Sequence, residues 1–284
     1  MSNQMFDHRL LQDCKFAVVD PTKTELLPEG VVGATMVPRS LATSAHLMPT
    51  LLELGALTTE HSAVLLQAQD DAQGSGTPPP VALFVETVTD RDNYASHWNR
   101  MQIHRSGSEQ VSWLRVHDTR VLHQLFRILT IDQRAQLFGP ATALIYWLNG
   151  EWLRVERPQA TMLEQAATRW DWSRIERIGL VNRALARAGV RSPAELSTQG
   201  ATAERLIDRA TVEHRLDHPD DLVEFAYRGL RCHLKFDEHP EIRAQLHTRS
   251  DDDDSLLADR WALIAPEVWS VLTPPHSKLK MGDA

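Results

Sequence analysis

Cysteine is almost missing from this chain. Cys14 and Cys232 are the only two among 284 residues, too few for a disulfide framework or a metal knuckle. Long apolar runs are missing as well. The longest, residues 141–148, is broken by Thr142 and falls far short of the ~20 residues a membrane span needs. The first residues, MSNQMFDHRLLQDCKF, lack the basic-then-apolar order of a signal peptide, so a cytoplasmic location is expected. With 13 glycines, 15 prolines and 42% hydrophobic residues, the composition excludes a disordered chain. A basic excess is also absent. Lys and Arg number 30 against 38 Asp and Glu, a formal charge of −8, with four surplus negative charges on each side of Arg157. Neither half has the basic surplus of a nucleic-acid binder, so no nucleic-acid partner is expected, and the shortness of the apolar runs leaves no membrane insertion expected.

Catalytic motifs are equally scarce. The 13 histidines include no H-E-x-x-H, and His214 and His218, four apart, are separated from a shared helical face by Pro219. There is no G-x-S-x-G elbow, and Cys232 between Leu230 and Leu234 reads as a small buried thiol within a helix. The loop Gly74-Ser-Gly76 lacks a third glycine and is followed by three prolines, which remove amide donors a phosphate would need. The aspartates at 251–254 have neither the alternation nor the glycine of a calcium loop. They read as a charged hinge, with Asp254 capping the next helix. No catalytic residue, cofactor site or metal ligand is assigned.

What is present has two rhythms. Through about residue 158, short β-rich runs alternate with helical stretches. Strands are expected at 15–20, 33–37, 48–54, 81–86 and 111–116, and helices at 60–72, 91–104 and 121–129. Residues 141–148 and 151–156 flank Asn149-Gly150, the strongest short hairpin signal. From 159 onward the strands stop. Ser173-Arg-Ile-Glu176 reads as a capping box opening a helix that ends before Gly189, and Ser192-Pro-Ala-Glu195 repeats that arrangement. Further helices are expected at 201–216 and 219–234, then an apolar tail at 256–264. The fold class is therefore α/β (α+β), an amino-terminal lobe with a mixed sheet over 1–158, followed by an all-helical lobe over 159–284.

Between residues 80 and 157 the order of motifs is distinctive. A strand ends in Arg115-Val-His-Asp118-Thr-Arg120-Val121-Leu122 and leads into a helix. Phe138-Gly139-Pro140 follows, and then the hairpin. This order resembles the adaptor, or effector-chaperone, family of type VI secretion systems (the Tap/TEC type, long catalogued as a domain of unknown function). Phe236-Asp237-Glu238 is similar to a motif in that family's second half. The resemblance implies a non-enzymatic protein that binds a secreted effector in the cytoplasm, holds it soluble and passes it to the VgrG spike protein.

The motif residues Arg115, Asp118, Arg120, Phe138, Gly139 and Pro140 are also explicable as determinants of fold. Asp118 can cap the helix, Arg120 can pair locally, and Gly139-Pro140 can form a turn. The helix at 219–234 bears more directly on partners. Its charges Glu224, Arg228 and Arg231, with Lys235, fall in one narrow sector, leaving more apolar circumference than a single packed stripe requires. Either it is buried at the centre of its lobe, or a flank of it lines a groove for an amphipathic effector segment. Val223, Phe225, Tyr227, Arg228, Arg231 and Leu234 are the candidate partner-binding residues. Trp170 and Trp172 at the lobe junction fit helix staples or packing, with an interface role as the lesser alternative. The alternatives to an adaptor are an enzyme with an unrecognised pocket in the first lobe, or a structural subunit of a larger assembly.

Overall fold

In a computed structural model of the chain, residues 2–4, 9–105, 111–159, 170–247 and 255–273 are described. They fall into two compact units, Met1–Trp170 and Asp171–Ala284. The expected boundary at 158/159 precedes that division by a short stretch outside the described residues.

The first unit runs β1 (Ser2–Gln4), α1 (Leu10–Asp13), β2 (Phe16–Val19), β3 (Ala34–Thr35), β4 (Thr50–Glu53), α2 (Thr59–Ser75) and β5 (Val81–Thr87). It continues with α3 (Arg91–Met101), β6 (Ile103–Arg105), β7 (Val111–Trp113), α4 (Thr119–Ile128), α5 (Ile131–Phe138), β8 (Ala141–Leu148) and β9 (Glu151–Glu156). Seven strands form one sheet in the order β1-β9-β8-β5-β2-β4-β3, each neighbouring pair antiparallel. β6 and β7 form a separate ribbon.

Both faces of the sheet are covered. On one, Ala17, Val19, Leu52, Phe84, Ile145 and Trp152 pack with Leu65 of α2. On the other, Phe16 stacks on Tyr94 of α3 at 5.5 Å, and Phe126 of α4 lies 5.9 Å from Tyr146 and 5.8 Å from Phe138 of α5. Double coverage explains why β2 and β8 are apolar almost without alternation, a pattern more usual in parallel sheets. The β8–β9 hairpin turns on Asn149 (φ 50°) and Gly150 (φ 96°), both left-handed as a type I′ turn demands.

Several boundaries differ from those expected. α3 stops at Met101, and residues 103–105 pair as a strand with 111–113. The strand expected at 33–37 is only Ala34–Thr35. α5 was not anticipated, yet its start is a capping box in which Thr130 and Gln133 satisfy each other's backbone amides.

The second unit is helical: α6 (Trp172–Glu176), α7 (Ile178–Arg187), α8 (Pro193–Val212), α9 (Pro219–Arg231), α10 (Pro240–His247), α11 (Leu257–Ala262) and α12 (Pro266–Leu272). Asp171, not Ser173, caps α6. The carboxylate takes the Arg174 amide, and the Ser173 hydroxyl donates to Asp171 at 2.7 Å, because an ionised oxygen is the stronger acceptor. Ser192 caps α8 as expected, and Gly189 (φ 75°) ends the preceding helix. The helix expected at 201–216 is the second half of α8, which passes through the buried Gly200 without a break and ends at Val212, four residues early. Such a glycine costs only about 1 kcal/mol against alanine.

α9 is the axis of this unit, flanked by α7, α8 and α11. Gly229 lets α8 approach it closely: a Cβ there would sit 2.5 Å from Leu206. Among the described residues no helix is long and apolar enough to cross a membrane, and no group of three or more His, Cys, Asp or Glu is placed to hold a metal ion. The aspartates at 251–254 lie outside the described residues.

Candidate functional site: an open groove on the helical unit

The expected partner-binding residues separate into two environments. Val223 and Phe225 are core, 4% and 0% exposed. Phe225 sits among Phe236 at 5.0 Å, His214 at 5.2 Å and Trp261 at 6.2 Å. Neither can line a groove. The surplus apolar circumference of α9 is consumed by neighbours on several sides, as for any helix at the centre of its bundle.

The charged sector is also not a solvated face. Glu224 is fully buried and ion-paired with Arg187 of α7 and Arg228. Two guanidinium partners offset the cost of taking its charge out of water. Tyr227 is half-buried, with Arg187 over its ring at 4.6 Å. Arg228 stacks on Trp269 at 4.2 Å. Arg231 is half-buried at the last turn of α9.

α9 ends at Arg231, three residues earlier than expected. Cys232 is its extended C-cap rather than a mid-helix residue. The thiol is buried, and burial raises its pKa; burial likewise pushes Cys14 up to about 12. His218 caps α9, whereas His214 bonds Asp237 at 2.9 Å, so these two histidines do not share a site.

Beyond the break, Leu234 is 51% exposed and faces α8 across an open cavity of about 400 Å³. Leu206 forms the floor, buried to 3%. Val212, 76% exposed, stands on the far wall with Arg205, Arg209 and Glu213. Residues 205, 209, 212 and 213 share one stripe of α8 through their i, i+4, i+7, i+8 spacing. Arg209 ties the two walls together: Nη2 donates to the Leu234 carbonyl at 2.6 Å and to Asp237 at 2.8 Å. Burial opposes ionisation of Asp237, but the His214 hydrogen bond and the Arg209 charge outweigh it and hold the carboxyl below its usual range. The sequence signal for this site was the stripe on α8. It becomes a groove only because the chain turns back after Arg231.

In the first unit the motif residues build the fold. Asp118 caps α4 by accepting from the Arg120 amide and binds the Arg120 guanidinium at 2.8 and 3.0 Å. Arg115 is exposed, and Phe138 is buried against Phe126. Gly139 adopts φ 54°, ψ −119° under the ring of His97. The Pro140 carbonyl accepts from the Thr87 hydroxyl at 2.9 Å. Trp170 is buried, its indole N–H donating to Gln136 at 3.3 Å, a packing role. Trp172 opens α6.

Residues 38–136, about a third of the chain, match the model of a family described as a domain of unknown function (DUF4123). No curated protein matches the chain, and no solved structure does.

Proposed function

We propose that this chain is a non-enzymatic adaptor of the type VI secretion kind. It binds one secreted effector in the cytoplasm, keeps it soluble and passes it to the VgrG spike protein. The observation that supports this most is the match of residues 38–136 to the DUF4123 model, the domain to which the Tap/TEC adaptors are assigned. The order of motifs from Arg115 to Pro140 agrees with it. The open groove beside Leu234 adds a physical reason, since exposed aliphatic side chains around a trough mark sites that another polypeptide covers.

The test is co-expression of the tagged full-length chain with the products of neighbouring genes. The expected result is a stoichiometric complex with one large protein, whose soluble yield falls when the chain is left out. Recovery of the chain alone, with every neighbouring product equally soluble in its absence, would overturn the proposal.

A further inference from the structure

We infer that the groove between α8 and Leu234 takes an amphipathic helix of the effector. That helix carries an acidic residue at the end lying against Arg205 and a basic residue at the end lying against Glu213. The inference deepens the adaptor reading and rests on it for the identity of the partner.

The charge assignment follows from which groups the fold has already neutralised. Arg209 is bonded to Asp237, and Asp208 is ion-paired with Arg177. Arg205 is exposed, and among the described residues its guanidinium meets only the Thr202 hydroxyl of its own helix, at 3.2 Å. Glu213 is exposed at the C-cap of α8 and has no cationic partner among the described residues. Among the described residues the groove therefore presents one uncompensated positive charge and one uncompensated negative charge, eight residues apart. At the α-helical rise this separates them by about 12 Å.

Glu213 stands where its own helix disfavours it. The last turn of a helix carries partial negative charge from its free carbonyls and stabilises cations, not carboxylates. A Lys or Arg from a partner would meet Glu213 and the helix end together. Val212 and Leu234 line the same groove with Leu206 beneath, a short apolar surface suited to anchors at i, i+3 or i+4, and i+7 of an incoming helix. An all-acidic or all-basic segment would meet a like charge at one end, so the arrangement selects a segment with opposite charges about two turns apart.

The probe is a fluorescein-labelled 18-residue peptide with leucines at helical spacing and a Glu and a Lys eight residues apart. Two companions carry Lys at both positions or Glu at both. Anisotropy titrations use the full-length chain. The Glu/Lys peptide is expected to bind about fivefold more tightly than either companion. Arg205→Glu should move the preference to the Lys/Lys peptide. The double variant Arg205→Glu, Glu213→Arg should restore binding of the Glu/Lys peptide, which then lies in the opposite direction. A purely structural role for these charges gives no such recovery. Val212→Ser and Leu234→Ser should each weaken binding about tenfold, with melting temperatures unchanged because both side chains are exposed.

Equal binding of the three peptides overturns the inference. So does a concentration-dependent dimer abolished by Val212→Ser, since a second copy would then be the occupant. The two readings fail separately. An effector that binds the wild-type chain and all four variants alike sinks the groove and leaves the adaptor standing. Absence of any effector complex, with the peptide preferences intact, sinks the adaptor and leaves the groove.

Discussion

Gly139 tests whether the Phe138-Gly139-Pro140 motif specifies the fold. It closes α5 and turns the chain into β8, with φ 54° and ψ −119°, a region that residues with a Cβ enter at a cost of about 1–3 kcal/mol. The space is also taken. A Cβ built on Gly139 would lie 2.3 to 2.4 Å from three atoms of the His97 ring. That ring is half-buried, and its Nε2–H donates to the Leu137 carbonyl at 3.2 Å. It can swing aside only by breaking the bond, worth about 0.5–1.5 kcal/mol. Gly139→Ala should therefore destabilise the chain by about 2–4 kcal/mol, a drop in Tm of roughly 5–15 °C for a unit of this size. Urea denaturation followed by far-UV circular dichroism measures the loss. His97→Ala in the same background should relieve the clash but not the backbone strain, a coupling of about 1 kcal/mol. A loss below 1 kcal/mol would show that neither the turn nor the close approach matters, and strictly additive effects would show that the close approach does not. If the urea midpoint stayed fixed while effector binding fell, Gly139 would belong to an interface.

Two other consequences are open to measurement. Phe225→Ala should cost about 3–5 kcal/mol and broaden or abolish the unfolding transition of the helical unit, as for other large core truncations; an unchanged Tm would place Phe225 on a surface after all. His117 is buried, with Nε2 3.7 Å from Asp20 and its ring stacked on Trp113. Burial lowers its pKa to about 4 despite the attraction of Asp20 and Asp118. The unfolded chain therefore binds the extra proton first as pH falls below about 6.5, so the stability due to a neutral His117 is complete above that pH and lost toward 4. Urea midpoints across that window should fall less steeply for His117→Gln than for the wild type, and parallel curves would contradict the assignment.

Much of the first unit was readable because its signals are local. Asn149-Gly150 fixes a hairpin by backbone conformation alone, and residues 81–87 and 141–148 are apolar enough to be strands under double coverage. α5 was readable too, through Thr130 and Gln133, although the Gly139-Pro140 turn that ends it is the stronger local signal. The start of α6 turned on a competition between two adjacent caps, Asp171 and Ser173, which spacing does not settle and acceptor strength does. The 3-10 turns at Pro21–Leu26 and within Arg39–Leu47, where Leu41 and Ser44 depart from helical geometry, have no periodic signature that separates them from loop.

The proposed partner site was harder to read, for a reason particular to the helical unit. Sequence shows how many apolar and charged positions a helix carries, but not which of them its neighbours use up. On α9 nearly everything is used: Phe225 meets three aromatic rings, and Glu224 meets two arginines. On α8 the charges at 208 and 209 are cancelled by Arg177 and Asp237, residues about thirty positions away in opposite directions along the chain. Only after that subtraction do Arg205 and Glu213 stand out, and only after the helix break at Cys232 does Leu234 face Val212. Arg209 carries both facts, because the guanidinium that cancels Asp237 also holds the Leu234 carbonyl. The opening of the groove and the neutrality of its centre thus depend on one side chain, while the selectivity proposed for it rests on the two charges the fold does not use.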